Sequence, residues 1–131
     1  MPKLVQYEEA GPEVRAVYDE IKAARNIPDV NNFWKALAVH PVTLRRTWDS
    51  LRVVMGPGVL DPLTKEMLYL AVSAANGCAY CTASHTAAAR AKGMTEEMRG
   101  ELLAIVAMAA ETNRLAEAYD VPIDAAFRDP A

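Results

Sequence analysis

From Met67 to Ala89 the chain runs 23 residues without a formal charge, the longest such stretch among its 131 residues. A run that long has to be buried in a bilayer or in a protein core, so it constrains the fold more than any other feature. It contains Ser73, Asn76, Gly77, Thr82, Ser84, His85 and Thr86. A lipid span would have to strip water from all of these polar groups. Asn76-Gly77 is also a pair that ends helices, because both residues tolerate left-handed backbone. The run therefore reads as two buried helices of a protein core broken at Asn76-Gly77, and no membrane association is expected.

The rest of the chain points the same way. Its 24 alanines outnumber valine and isoleucine combined, a balance that favours helix over sheet. No segment alternates apolar and polar residues as a strand would. The expected fold is all-α, a bundle of about six helices. The first spans Gly11-Pro12 to Arg25, with Val14, Val17, Tyr18 and Ile21 on one face, and Pro28 ends it. The second runs from Asn31 to His40. The third starts at Pro41 and carries the stripe Leu44, Trp48, Leu51 and Met55, before a turn at Gly56-Pro57-Gly58. The fourth has Asp61 as N-cap and Pro62 in its first turn, and it closes at Gly77. The fifth opens at the cysteine pair and ends at Gly93, with Arg90 and Lys92 matching the charge preference of a helix C-terminus. Thr95 caps a sixth helix that reaches about Tyr119. No repeat or linker divides the chain, so residues 1–131 are expected to form one domain, with its core from about 10 to 120 and an extended tail over 121–131.

Net charge is −3, with no basic surplus to suggest nucleic acid or an anionic membrane surface as a partner. The N-terminal MPKLVQYEEAGPEV has no apolar segment of the kind a secretory leader needs, so the expected compartment is the cytoplasm. The two cysteines, Cys78 and Cys81, sit three residues apart and cannot staple distant parts of a fold. In a reducing compartment a CxxC is catalytic or metal-binding more often than structural.

At 100° per residue, Cys78, Cys81 and His85 fall at about 0°, 300° and 340° around a helix, within about 60° of one another. Cys81 and His85 are one turn apart, and the two thiols are close enough in sequence for a disulfide to close. Both thiols also lie at a helix N-terminus, where free N–H groups and the dipole favour thiolate. This is the arrangement reversible thiol redox chemistry needs, whether in a thiol peroxidase or in a thiol-disulfide oxidoreductase. Glu66 joins if the fourth and fifth helices form an antiparallel hairpin about Gly77. It would lie roughly 16 Å before the turn and His85 roughly 12 Å after it, less than one helical turn apart. A carboxylate there can orient the imidazole and take or relay its proton.

Glu-x11-Cys-x2-Cys-x3-His, together with NFWKALAVHP, the Trp48 helix and PGVLDPLTKE, resembles the alkylhydroperoxidase D (AhpD)-like, carboxymuconolactone decarboxylase superfamily. The resemblance covers roughly residues 10 to 120 and is nearest to the peroxidase-related branch. It implies an all-helical fold, trimers or larger assemblies such as hexamers, and a hydroperoxide substrate with an external thiol or dithiol as reductant. Carried over residue by residue, it makes Cys81 the thiol that attacks peroxide and Cys78 the resolving thiol that the reductant reaches. Glu66 and His85 would form the proton relay. No metal or organic cofactor is implied. The best-known members place a second His just before the attacking cysteine. Tyr80 stands there in this chain, and a phenol with a reference pKa near ~10 is no base at neutral pH. Its role reduces to an accessory one, a hydrogen bond or packing.

Two other readings stay open at this stage. One is a non-redox decarboxylase-type enzyme acting on a small lactone or acid. The other is a zinc-binding interaction module using Cys78, Cys81, His85 and Glu66, although structural zinc usually takes two ligand pairs separated by a longer loop. Thr82 after Cys81 excludes c-type haem attachment, and the lack of a βαβ pattern disfavours a thioredoxin-like site. His40, Trp34, Trp48 and the methionines read as structural. The apolar fifth helix and the Leu102–Ala110 run exceed what one small bundle can cover, so a homo-oligomer built through helices four to six is expected.

Overall fold

The computed structural model describes residues 1–128. Six α-helices and two short 3-10 turns make up the regular structure of these residues, with no strand among them. Contacts divide the chain into two compact units, the first spanning Met1–Pro57 and the second beginning at Gly58.

In the first unit, α1 spans Pro12–Arg25, α2 Asn32–Leu37 and α3 Pro41–Val54. The apolar face read from the α1 sequence is the buried one: Val14, Val17, Tyr18 and Ile21 pack with Val30, Trp34, Leu44 and Trp48. Trp34 and Trp48 meet edge to face, with ring centroids 5.6 Å apart and planes at 89°, the geometry that the charge distribution of aromatic rings favours. α1 stops at Asn26, which takes a left-handed φ of 53°. Ile27 donates back to the Lys22 carbonyl at 3.1 Å, so the helix is closed before Pro28 is reached. α2 is shorter than the expected Asn31–His40. His40 precedes a proline and is held extended at φ −129°, ψ 92°, because the Pro41 ring disfavours helical backbone one residue earlier. Freed from α2, His40 caps α3 by accepting from the Thr43 N–H through Nδ1 at 3.3 Å.

The second unit contains α4 (Pro62–Ala75), α5 (Ala79–Ala91) and α6 (Glu96–Ala118). Asp61 accepts from the Thr64 N–H at 2.9 Å, and Thr95 from the Met98 N–H at 3.1 Å. Both caps satisfy N–H groups that an isolated helix start leaves unpaired. Gly77 and Gly93 take positive φ values of 73° and 108° and close α4 and α5 with paired backbone bonds. Gly77 donates to Ala74 and Cys78 to Ser73, while Gly93 donates to Arg90 and Met94 to Ala89. These are Schellman ends, which need a left-handed residue that glycine supplies without a Cβ clash. Asp120 (φ 47°) closes α6 in the same way.

The core of this unit gathers Leu70, Ala89, Met94 and Leu102, with Leu63, Met67, Met98 and Val106 around them. Beyond Val106, by contrast, every residue of α6 is exposed. Leu68 and Val72 on α4, Ile105, Met108 and Leu115 on α6, and Tyr119 at its C-cap are large apolar side chains open to solvent in the single chain. Residues 121–128 are exposed and, where an extended tail was expected, Ala125–Phe127 forms a 3-10 turn. Pro130 lies outside the described residues. Among those residues, no helix is long and apolar enough to cross a membrane.

Candidate active site

Three residues, Asn76, Gly77 and Cys78, connect α4 to α5. Gly77 ends one helix and Cys78 begins the next as its N-cap, at φ −82° and ψ 99°. Cys78 is therefore not itself helical, and the wheel angle assigned to it from sequence does not hold. Its Sγ accepts from the Cys81 N–H at 3.2 Å, the role a serine or aspartate usually fills at this position. Cys78 and Cys81 are disulfide-bonded, with Cα atoms 5.3 Å apart. Both are half-buried.

His85 stands one turn beyond Cys81 on α5. Its Nδ1 is 2.7 Å from Oε2 of Glu66 on α4. An ionised carboxylate only accepts, so Nδ1 carries the proton and, in the neutral ring, Nε2 is the free lone pair. Glu66 is buried, with only 10% of its side chain exposed. Burial on its own pushes its carboxyl up. The hydrogen bond and charge of His85, with the charge of Lys92, outweigh that and hold Glu66 below its ordinary 4.5. The second carboxylate oxygen, Oε1, lies 3.5 Å from Lys92 Nζ. Glu66 thus bridges an imidazole and an ammonium.

Two residues here were not singled out as site groups from the sequence. Lys92 follows His85 by seven positions, two helical turns along the same face of α5, and was read only as a C-terminal charge. Tyr69 follows Glu66 by three positions on α4, and its ring stacks on the His85 imidazole with centroids 3.7 Å apart and planes at 20°. Helical spacing from Glu66 and His85 could have found both. Tyr80 lies on α5 one residue before Cys81. It stands about 100° around the helix from Cys81 and is 44% exposed. Among the described residues, no group of three or more His, Cys, Asp or Glu side chains is arranged to hold a metal ion.

Fold and site together define a class of protein: all-helical, with a CxxC pair at the head of one helix and a carboxylate–imidazole pair on its flank. The chain belongs to the carboxymuconolactone decarboxylase family, whose model matches residues 41–124, and to the AhpD-like members of that superfamily. It is 42% identical over 106 residues to an alkyl hydroperoxide reductase AhpD of Solibacter usitatus, covering 79% of this chain and 58% of the relative. To its namesake in Azorhizobium caulinodans it is 37% identical over 98 residues, covering 67% of this chain and 51% of the relative. The chain thus spans little more than half the length of these curated relatives. A solved structure described as the alkylhydroperoxidase AhpD core of Rhodospirillum rubrum superposes with a TM-score of 0.85 at 57% identity. That match covers 88% of this chain and 86% of the other.

Proposed function

We propose that this protein is a thiol-dependent hydroperoxide reductase. The observation that carries the reading is the Glu66–His85 hydrogen bond at 2.7 Å, made one helical turn from a cysteine pair that closes as a disulfide. In the reduced protein, His85 Nε2 takes the Cys81 proton while Glu66 stabilises the imidazolium through Nδ1. The thiolate attacks one peroxide oxygen, and the O–O bond breaks. The leaving alkoxide takes the proton from His85 and departs as alcohol, and Cys81 becomes a sulfenic acid. Cys78 sulfur then attacks Cys81 sulfur. Its thiol proton leaves with the hydroxyl as water, and the Cys78–Cys81 disulfide forms. An external dithiol attacks Cys78 and restores both thiols at the expense of its own oxidation. Tyr80 has at most an accessory part, and no metal or organic cofactor is needed. The cycle suits a reducing compartment such as the cytoplasm. The identity of the curated relatives as alkyl hydroperoxide reductases supports the reading.

The test is mass spectrometry of the reduced chain before and after one equivalent of a hydroperoxide. A loss of two hydrogens, mapped to the peptide that holds Cys78 and Cys81, is expected. An unchanged mass would overturn the proposal. The family match itself supports a second reading, a non-redox decarboxylase-type reaction on a small lactone or acid. Turnover of such a substrate after full alkylation of both thiols would favour it. A zinc-binding module is the remaining alternative, which elemental analysis of the purified chain checks directly.

The active unit is a homo-oligomer, a trimer or hexamer, assembled through the exposed apolar side chains of α4 and α6. Ile105, Met108, Leu115 and Tyr119 recur along one side of α6, and a face of that kind is normally covered by another copy in a symmetric assembly.

A further inference from the structure

We propose that Tyr69 is a positioning residue for the His85 imidazole, one that sets where the free ring nitrogen points. The proposal rests on the thiol-peroxidase reading above and adds a requirement to it. The bond from His85 Nδ1 to Glu66 Oε2 fixes one atom of the ring. It leaves the ring able to turn about the line joining those two atoms, because a carboxylate oxygen accepts over a broad range of directions. Nε2 lies on the far side of the ring, so such a turn swings it through an arc. Proton transfer from a thiol requires that nitrogen within hydrogen-bond reach of the sulfur.

The stack removes the remaining freedom. The Tyr69 ring lies almost flat on the imidazole, with centroids 3.7 Å apart and planes at 20°. Turning the imidazole out of its plane would drive its edge into the phenol ring. The hydrogen bond and the stack act along nearly perpendicular directions, and both come from α4, because Glu66 and Tyr69 are three residues apart on one helical face. A single rigid helix therefore presents an in-plane acceptor and an out-of-plane platform to a ring carried by its neighbour. Tyr69 is partly buried, which keeps the platform from exchanging freely with water. The Tyr69 hydroxyl makes no hydrogen bond to Glu66 or His85 among the described residues. The ring face, rather than the phenol, is the working part, and phenylalanine should replace it.

The experiment follows disulfide formation in a single turnover. The full chain is reduced, freed of reductant, and mixed with cumene hydroperoxide; acid-quenched samples are read by mass spectrometry. The parent is compared with Tyr69→Phe, Tyr69→Leu and Glu66→Gln, with thermal unfolding recorded for each. Tyr69→Phe is expected within about twofold of the parent. Tyr69→Leu is expected to be slower by about tenfold or more with its unfolding temperature little changed, as misplaced reacting groups commonly are. A proton NMR spectrum supplies a readout that requires no variant to fold. The chain has only two histidines, and the His85 ring protons of the parent should be moved upfield by the Tyr69 ring and show cross-relaxation with it. Absence of that shift overturns the proposal. So does a Tyr69→Leu protein as fast as the parent, or a Tyr69→Phe protein as slow as Tyr69→Leu. A fast Tyr69→Leu beside a slow Glu66→Gln would sink the Tyr69 role alone, whereas a parent that forms no disulfide would sink the thiol reading together with it.

Discussion

Glu66 Oε2 and His85 Nδ1 lie 2.7 Å apart across the α4–α5 turn, although nineteen positions separate them in sequence. The contact exists because Gly77 allows α4 to stop and α5 to start with three residues between them, which brings the two helices back along each other. Everything proposed for the thiols depends on that return.

The two cysteines should separate by function. Cys81→Ser should abolish peroxide turnover. Cys78→Ser should leave the first step intact and stop at the sulfenic acid, because no resolving thiol remains. Labelling with a sulfenic-acid-specific dione, located by peptide mapping, should mark Cys81 in the Cys78→Ser protein. Turnover at parental rates by Cys81→Ser would contradict the assignment.

Glu66→Gln should lower the rate of disulfide formation by about 10²-fold, the scale on which acid–base assistance usually acts. Glutamine can still accept from Nδ1 but cannot stabilise the imidazolium by charge. A stopped-flow series with increasing hydroperoxide should place the loss in the second-order rate constant.

The same carboxyl gives an acid dependence of stability with a defined sign. Glu66 is held below its ordinary 4.5 in the folded chain. Its stabilisation is therefore fully present above the unfolded value and is lost as pH falls through the folded one. The parent should lose more stability than Glu66→Gln between about pH 6 and about pH 3. Urea midpoints at the two pH values make the comparison, and parallel curves would contradict it.

Gly77→Ala should destabilise the chain by about 1–2 kcal/mol, the cost of left-handed backbone for a residue with a Cβ. The cause is conformation and not crowding, since a Cβ at Gly77 would meet nothing within 4 Å. Gly56 is the opposite case: a Cβ there would sit 2.6 Å from the Arg52 carbonyl oxygen, so Gly56→Ala forces a backbone shift. Asp61→Ala, which removes the α4 cap, should cost about 1 kcal/mol. Chemical denaturation of the three variants checks all three claims.

Ile105→Lys should weaken self-association. A lysine on the exposed apolar side of α6 would have to be desolvated in any interface formed there. Light scattering at micromolar concentration should show an oligomer for the parent and a smaller species for the variant. A parent that is a stable monomer would refute the oligomer.

Much of this was legible in the sequence, because much of it is local. The starts of α4 and α6 follow from Asp61 and Thr95, whose side chains bond to N–H groups three residues on. Their partners lie within one turn whatever the rest of the chain does. The ends at Gly77 and Gly93 follow from backbone conformations that few other residues adopt. Cys81 and His85 share a face because a helix has 3.6 residues per turn. The restriction that Pro41 places on His40 is equally local: it acts one residue before the proline and keeps His40 out of α2.

Tertiary structure decided what spacing only permitted. The depths of Glu66 and His85 allowed a meeting, but the facing of two helices depends on how Leu70, Ala89, Met94 and Leu102 pack. Helix packing angles follow from the shapes of such side chains and not from their order. The same packing put Tyr69 flat against the imidazole and Lys92 near the second carboxylate oxygen. The sequence by itself determined that one thiol would cap a helix whose first turns carry the second thiol and a histidine, because those relations are set by bonds a few residues long. Which carboxylate, which ring and which ammonium complete the site was decided by the close approach of α4 and α5, an outcome of packing that no single stretch of chain contains.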